Sequence, residues 1–424
     1  MVPLPGEPNS AVETPMDASR AASTVHSWTG PRLDLDPFGA AFLTDPYPHH
    51  ARLRDAGPVV RLDCNGVYAM ARHREVSATL VDWQTYSSAR GVGIQDFARE
   101  TPWRPKSIVL ETDPPLHDRT RRVLQRVMSA AAMRALRPHF MARAEALVDR
   151  VVAVRDIDAV RDLAEAFPLS VMPDAVGPRP DGRDNLLPYS TMVFNSFGPR
   201  NDLFRRSIAA AEPVLAWINA QCVREALAPG GFGAEIWAAH DAGEISADEA
   251  QILVRSILTA GLDTTVNGFG NAIYAFATNP DEWHKLRADR RLIKPAFDEV
   301  IRWESPVQTF FRTTTRDVAV EDVVVPEGNK VLLFLGAANR DPRRWPAPDR
   351  FDVGRKPVGH TALGVGIHAC VGQLVARLEA EVLFEALAER VACFEITGTP
   401  ERALNNTLRA FARLPVRVAS AGTN

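Results

Sequence analysis

The sequence predicts a mainly α fold with a small β-sheet region, and three observations carry that prediction. Apolar residues recur at helical spacing over most of the 424-residue chain. Two stretches alternate as strands do: residues 57–71 (GPVVRLDCNGVYAMA) and 317–339 (DVAVEDVVVPEGNKVLLFLGAAN). From Pro31 onward no repeat and no low-complexity linker divides the chain, so residues 31–424 read as a single domain behind a loose tail at 1–30.

The elements follow in chain order. Residues 57–71 read as two strands about an Asn65-Gly66 turn. Residues 117–150 are rich in Arg and Ala, with leucines and valines at helical spacing; a break is expected near Pro138. Ser246-Ala-Asp-Glu249 is a capping box, with the serine as cap and the glutamate three residues on. The helical pattern it opens lasts until Pro280, about 45 Å at ~1.5 Å per residue. Glu299 and Arg302 share one helix face. Residues 317–339 read as a strand pair turning at Pro326-Glu-Gly-Asn329.

Composition narrows the function. A net charge of -3 and the lack of a basic stripe speak against nucleic acid. Cys64, Cys222, Cys370 and Cys393 are widely spaced, with no CxxC pair or zinc-type cluster, which fits a reducing cytoplasm. Residues 1–30 show no apolar signal core, and no apolar run is long enough to span a membrane.

Two places carry chemistry. The long helix is flawed in its middle, where Ala260-Gly-Leu-Asp-Thr-Thr265 sets a glycine, an acid and two β-branched hydroxyls among apolar residues. Threonine can bond back to the carbonyl four residues earlier and bend the helix. The segment is either a tolerated kink or a local opening for a small ligand, with Asp263 and Thr264 as its polar groups. Ser256, Ala260 and Thr264 follow at intervals of four and share a face, their two hydroxyls about 12 Å apart along the axis. The second place is Cys370, between a glycine-rich run and an apolar helix (TALGVGIHACVGQLVAR, 361–377). The helix start favours thiolate over thiol. Three roles stay open for it: a small core residue, a nucleophile with His368 as base, or a thiolate ligand to iron.

AGLDTT in a long helix, then EVIR (299–302), then GVGIHACVG (364–372), together resemble the cytochrome P-450 superfamily of haem-thiolate monooxygenases. The likeness covers nearly the whole chain after Pro31 and implies that fold, with a long central helix over haem b and dioxygen as co-substrate. It implies that Cys370 is the axial ligand, that His117, Arg121, Arg312 and His368 hold the haem propionates, and that Asp263 and Thr264 deliver protons to and hold dioxygen. Glu299 and Arg302, joined by Arg350, match the family's structural ion pair. Leu363 stands where the family usually has phenylalanine.

The likeness extends to a bacterial subfamily that oxidises para-substituted benzoic acids such as 4-methoxybenzoate, through residues 101–115, 193–201, 255–265 and 305–314. It assigns the carboxylate to Arg104, Ser107 and Ser256, and the ring and its para group to Leu110, Phe194, Phe197, Ala260, Val307 and Phe310. It further implies a cytoplasmic monomer fed with electrons by a [2Fe-2S] ferredoxin and an NADH-dependent reductase, with Arg122, Arg126 and Arg377 as candidate docking residues. The alternatives are a monooxygenase of another small aromatic or lignin-derived compound, a peroxide-driven peroxygenase, and a haem-thiolate protein without turnover.

Overall fold

The computed structural model describes residues 28–102 and 104–422. All but the last three residues of the expected tail at 1–30 lie outside that range; within it, Trp28 packs edge-on against Tyr68 at 5.0 Å. About 52% of the described residues are helical, so the mainly α expectation holds.

The central helix, Ala247–Thr278, organises the rest. Both halves of its capping box form: the Glu249 amide donates to Ser246 Oγ at 3.2 Å, and the Ser246 amide to Glu249 Oε2 at 2.8 Å. The helix runs through the main apolar core and buries residues on all sides, as an element apolar all round must. Its flaw does not interrupt it. Thr264 and Thr265 donate to the carbonyls of Ala260 and Gly261, both at 2.9 Å, and the helical ladder continues. Gly261 has a packing reason: a Cβ there would stand 2.7 Å from Met172 Cε of the helix Ala166–Val176.

The residues around 117–150 form two helices, Leu116–Val127 and Ala130–Val154. The break falls at Ser129, which caps the second helix by accepting from the Ala132 amide, and not at the expected Pro138. Pro138 sits on an exposed face, where the carbonyl its ring leaves unbonded is open to solvent.

The largest sheet has six strands in the order Arg32–Leu33, Val60–Leu62, Val67–Met70, Lys330–Phe334, Thr309–Thr314, Tyr86–Ser87. Val60–Leu62 and Val67–Met70 are antiparallel across the expected turn, where Gly66 takes φ +65°. The stretch 317–339 differs from expectation. Val318–Val320 and Val323–Val325 form a separate hairpin, and the Pro326–Asn329 turn leads to Lys330–Phe334, which joins the large sheet. There it pairs antiparallel with Thr309–Thr314, with Arg312 opposite Val331 and Phe310 opposite Leu333. Strand alternation then sends Phe310 and Arg312 to one face and Phe311 to the other. The first two line a cavity; Phe311 is buried in a core cluster with Phe38 and Phe334.

Glu299 and Arg302 are fully buried and bonded bidentately at 2.7 and 2.8 Å. The third member is Arg355, which donates to Glu299 Oε1 at 3.1 Å, and not Arg350. Arg350 supplies only its carbonyl, as an acceptor for Arg302 and Arg355, because the chain turns between the two arginines.

Candidate functional site

The cavity of about 290 Å³ lies between the central helix, the Cys370 loop and the strand Thr309–Thr314. Cys370 lines it, seven residues after Leu363, whose carbonyl accepts from the Cys370 amide at 2.7 Å. Leu363 itself lines the cavity beside the thiol, where the family's usual phenyl ring would be. Gly366 shapes the loop: it holds φ +73°, and a Cβ would meet the Leu80 carbonyl oxygen at 2.7 Å. The helix Gln373–Arg390 begins immediately after.

The thiol departs from expectation in its charge. Burial pushes its pKa up; the Gly372 amide, Arg121 and Arg377 oppose this without reversing it. A bound metal ion would deprotonate it outright. The nucleophile reading loses its base, because among the described residues no hydrogen bond joins Cys370 to His368. The His368 ring is packed edge-on against His117, centroids 4.6 Å apart, and burial lowers its pKa to about 3.

Around the thiol gather polar groups that their own chain leaves without partners. His117 bonds Asp118 through Nδ1 at 3.0 Å, but its Nε2 is buried without a partner, as are both ring nitrogens of His368 and Nε of Arg121. Arg312 is buried, and its one side-chain hydrogen bond among the described residues goes to the Phe311 carbonyl. Burial lowers its pKa to about 10, with Asp113 opposing. Buried donors of this kind cost several kcal/mol unless something accepts from them. Haem fits the arrangement. It presents two carboxylates to these donors and an iron to the one thiol. A lone cysteine can hold iron only if other ligands come with the metal, and among the described residues no cluster of three His, Cys, Asp or Glu exists to provide them.

Opposite Cys370, the central helix lines the cavity with Ser256, Ala260, Gly261 and Thr264. Asp263 is absent from the lining. It is buried on an adjacent face, where Thr191 Oγ1 donates to Oδ2 at 3.1 Å and Asn267 Nδ2 to Oδ1 at 3.4 Å. Burial raises its pKa to about 7, Glu165 adds to the rise, and the Thr191 and Asn267 bonds oppose it. His117 also stands behind the lining, against His368.

The remaining sequence candidates converge. Arg104, Ser107, Leu110, Phe194, Phe197, Val307 and Phe310 all line the same cavity. Phe197 packs edge-on against Phe194 (5.9 Å) and Phe310 (5.6 Å), which fixes the apolar wall. Arg104 is bonded bidentately to Glu111, both contacts 2.9 Å, and its guanidinium lies 5.4 Å from the Phe197 ring centroid. Ser107 Oγ accepts from the Leu110 amide at 3.2 Å, which leaves its proton for a ligand. Arg255, one residue before Ser256, is a lining cation that sequence reading missed; it forms no ion pair among the described residues. Its signal was an arginine inside an otherwise apolar helical run. Of the docking candidates, Arg126 pairs with Glu244 and Arg377 with Asp298, while Arg122 donates only to the Asp118 carbonyl.

Comparisons with known proteins agree with this geometry. The family model for cytochrome P450 matches residues 234–417. The chain is 55% identical over 392 residues to cytochrome P450 CYP199A2 of Rhodopseudomonas palustris, covering 92% of this chain and 95% of that protein. It is 31% identical to the cytochrome P450 monooxygenase PikC of Streptomyces venezuelae, over 91% of this chain and 94% of that one. Among solved structures, CYP109Q5 from Chondromyces apiculatus superposes with a TM-score of 0.78 at 29% identity, over 92% of this chain and 99% of that one. No described helix is long and apolar enough to cross a membrane.

Proposed function

This chain belongs to the cytochrome P450 family of haem monooxygenases, and on that premise we propose that it hydroxylates or O-demethylates para-substituted benzoic acids, 4-methoxybenzoate among them. One observation carries the reading: the cavity that reaches Thr264 and Cys370 is walled by Phe194, Phe197, Val307 and Phe310 and is also lined by the polar side chains of Ser107, Ser256 and Arg255. Ser256 and Thr264 lie two turns apart on one face, about 12 Å along the axis. An acid anchored by its carboxylate at the first therefore extends its para group toward the second. The relationship to CYP199A2 is consistent with the same subfamily.

Haem b bound through Cys370 supplies the iron at which dioxygen is activated. The chain supplies position and protons. Arg255 and the Ser107 hydroxyl orient the carboxylate, joined by Ser256 once its hydroxyl gives up its 2.7 Å bond to the Ile252 carbonyl, and the phenylalanine wall holds the ring and excludes water. Asp263, whose pKa burial raises to about 7, can hold a proton near neutral pH and serves as proton source. It must turn from Thr191 to reach the Thr264 side, and Thr264 must release its Ala260 carbonyl bond to pass a proton on. Overall, the methoxy carbon gains a hydroxyl; the hemiacetal collapses to 4-hydroxybenzoate and formaldehyde. The second oxygen atom leaves as water, using two protons and the two electrons of NADH delivered through a reductase and a [2Fe-2S] ferredoxin. We assign this to one catalytic unit over residues 31–424, a cytoplasmic monomer.

The test is a titration of the haem-loaded protein with 4-methoxybenzoate. A shift of the Soret band to the high-spin form is expected, with formaldehyde and 4-hydroxybenzoate formed in equal amounts. A silent spectrum without formaldehyde would sink the substrate reading. A carbon monoxide complex keeping its red-shifted thiolate band in Cys370→Ala would sink the ligand assignment.

A further inference from the structure

Arg104 stands at the acid end of the cavity, yet its charge is already answered. Glu111 is 1% exposed and accepts from Nη1 and Nη2 of Arg104 and from the Ser107 amide, all three at 2.9 Å. One carboxylate thus holds two of the residues that face the substrate. A paired arginine next to a buried acid has little field left for a second anion. That leaves Ser107 and Arg255 to recognise a carboxylate, with Ser256 able to join them by exchanging its bond to the Ile252 carbonyl.

We propose that Glu111 is a specificity-determining positioning residue: by neutralising Arg104 and fixing the Ser107 backbone it limits how strongly the site holds carboxylates. The proposal rests on the benzoate reading above. Its logic is one of differential binding. Substrate and product carry the same carboxylate, so a second unpaired arginine would tighten both alike, adding nothing to the chemical step and slowing product release. Orientation by hydroxyls discriminates by geometry at less cost in off-rate.

The sign pattern of a double-mutant cycle tests this, read with two iron-coordinating probes, 1-phenylimidazole and 4-(imidazol-1-yl)benzoate. Each reports binding by its Soret shift whatever the natural substrate is. The ratio of their dissociation constants isolates the carboxylate. Glu111→Gln keeps an acceptor for the Ser107 amide and frees the Arg104 charge, so the carboxylated probe should tighten by about tenfold relative to the neutral one. Arg104→Gln leaves Glu111 as an unanswered anion and should weaken that probe by about tenfold. The double variant should return near the wild-type ratio. An unchanged ratio in Glu111→Gln overturns the proposal, as does parallel movement of both probes. A double variant as weak as Arg104→Gln overturns it as well, because Arg104 would then hold the carboxylate itself; this comparison decides even if Glu111→Gln alone fails to fold. Failure of the substrate reading shows separately, as a wild-type protein whose spectrum ignores 4-methoxybenzoate.

Discussion

Two clusters of buried arginines and their polar neighbours differ in their bonding. In the Glu299–Arg302–Arg355 cluster the chain answers its own charge. Arg302 donates to both oxygens of Glu299 and to the carbonyls of Asn339, Pro348 and Arg350. In the His117–Arg121–Arg312–His368 cluster the donors lack such partners, and burial lowers the pKa of Arg121, Arg312 and His368. A closed network serves the fold, whereas an open one costs stability until a ligand with carboxylates closes it.

The contrast breaks most readily at its closed end. Arg302→Leu leaves the buried Glu299 carboxylate with Arg355 as its one cation and should cost about 3–5 kcal/mol, seen as a lower denaturation midpoint with and without haem. A midpoint shift seen only with haem would erase the distinction between the clusters. Arg312→Leu should act in the opposite sense on the two forms. The haem-free protein should gain stability, while the holoprotein should lose haem to an acceptor globin about tenfold faster or more. Loss of stability in both forms would mean that Arg312 serves the fold.

Asp263 extends the comparison to a buried acid without a cation. Its folded pKa, about 7, lies above the ordinary carboxylate value, so between the two the folded state binds the extra proton. Its contribution to stability should therefore fall as pH rises through that window, by at most about 1.4 kcal/mol per pH unit, while the lowered pKa of His368 acts in the opposite sense below about 6.5. Asp263→Asn should remove that contribution from denaturation series, leaving those of Glu165 and Glu379, whose pKa values burial also raises, and of His368. A slope of the same size in the variant would remove Asp263 as its source. The smallest effect is expected from Thr191→Val: about 1 kcal/mol of stability lost, and a higher Asp263 pKa because a bond to the charged form is gone. The midpoint of the protonated-carboxyl infrared band measures it; a midpoint that stays or falls contradicts the assignment.

What could be read in advance depended on how local the cause was. The capping box announced the central helix because both of its partners lie within one turn. Pro138 misled because a proline's cost depends on exposure, and exposure is not local. Arg355 stands where the motif points to Arg350, because only the path of the chain between them decides which guanidinium reaches Glu299.

By itself the sequence determined the mainly helical class, the single thiol among glycines, the hydroxyl face of the central helix and the family to which the motifs point, since each follows from spacing along a few turns of chain. Only the tertiary structure decided that Asp263 faces Thr191 instead of the cavity, that Glu111 claims Arg104, and that Arg255 enters the site. Those are matters of which charges meet across elements far apart in sequence, and burial, not spacing, sets what each meeting costs.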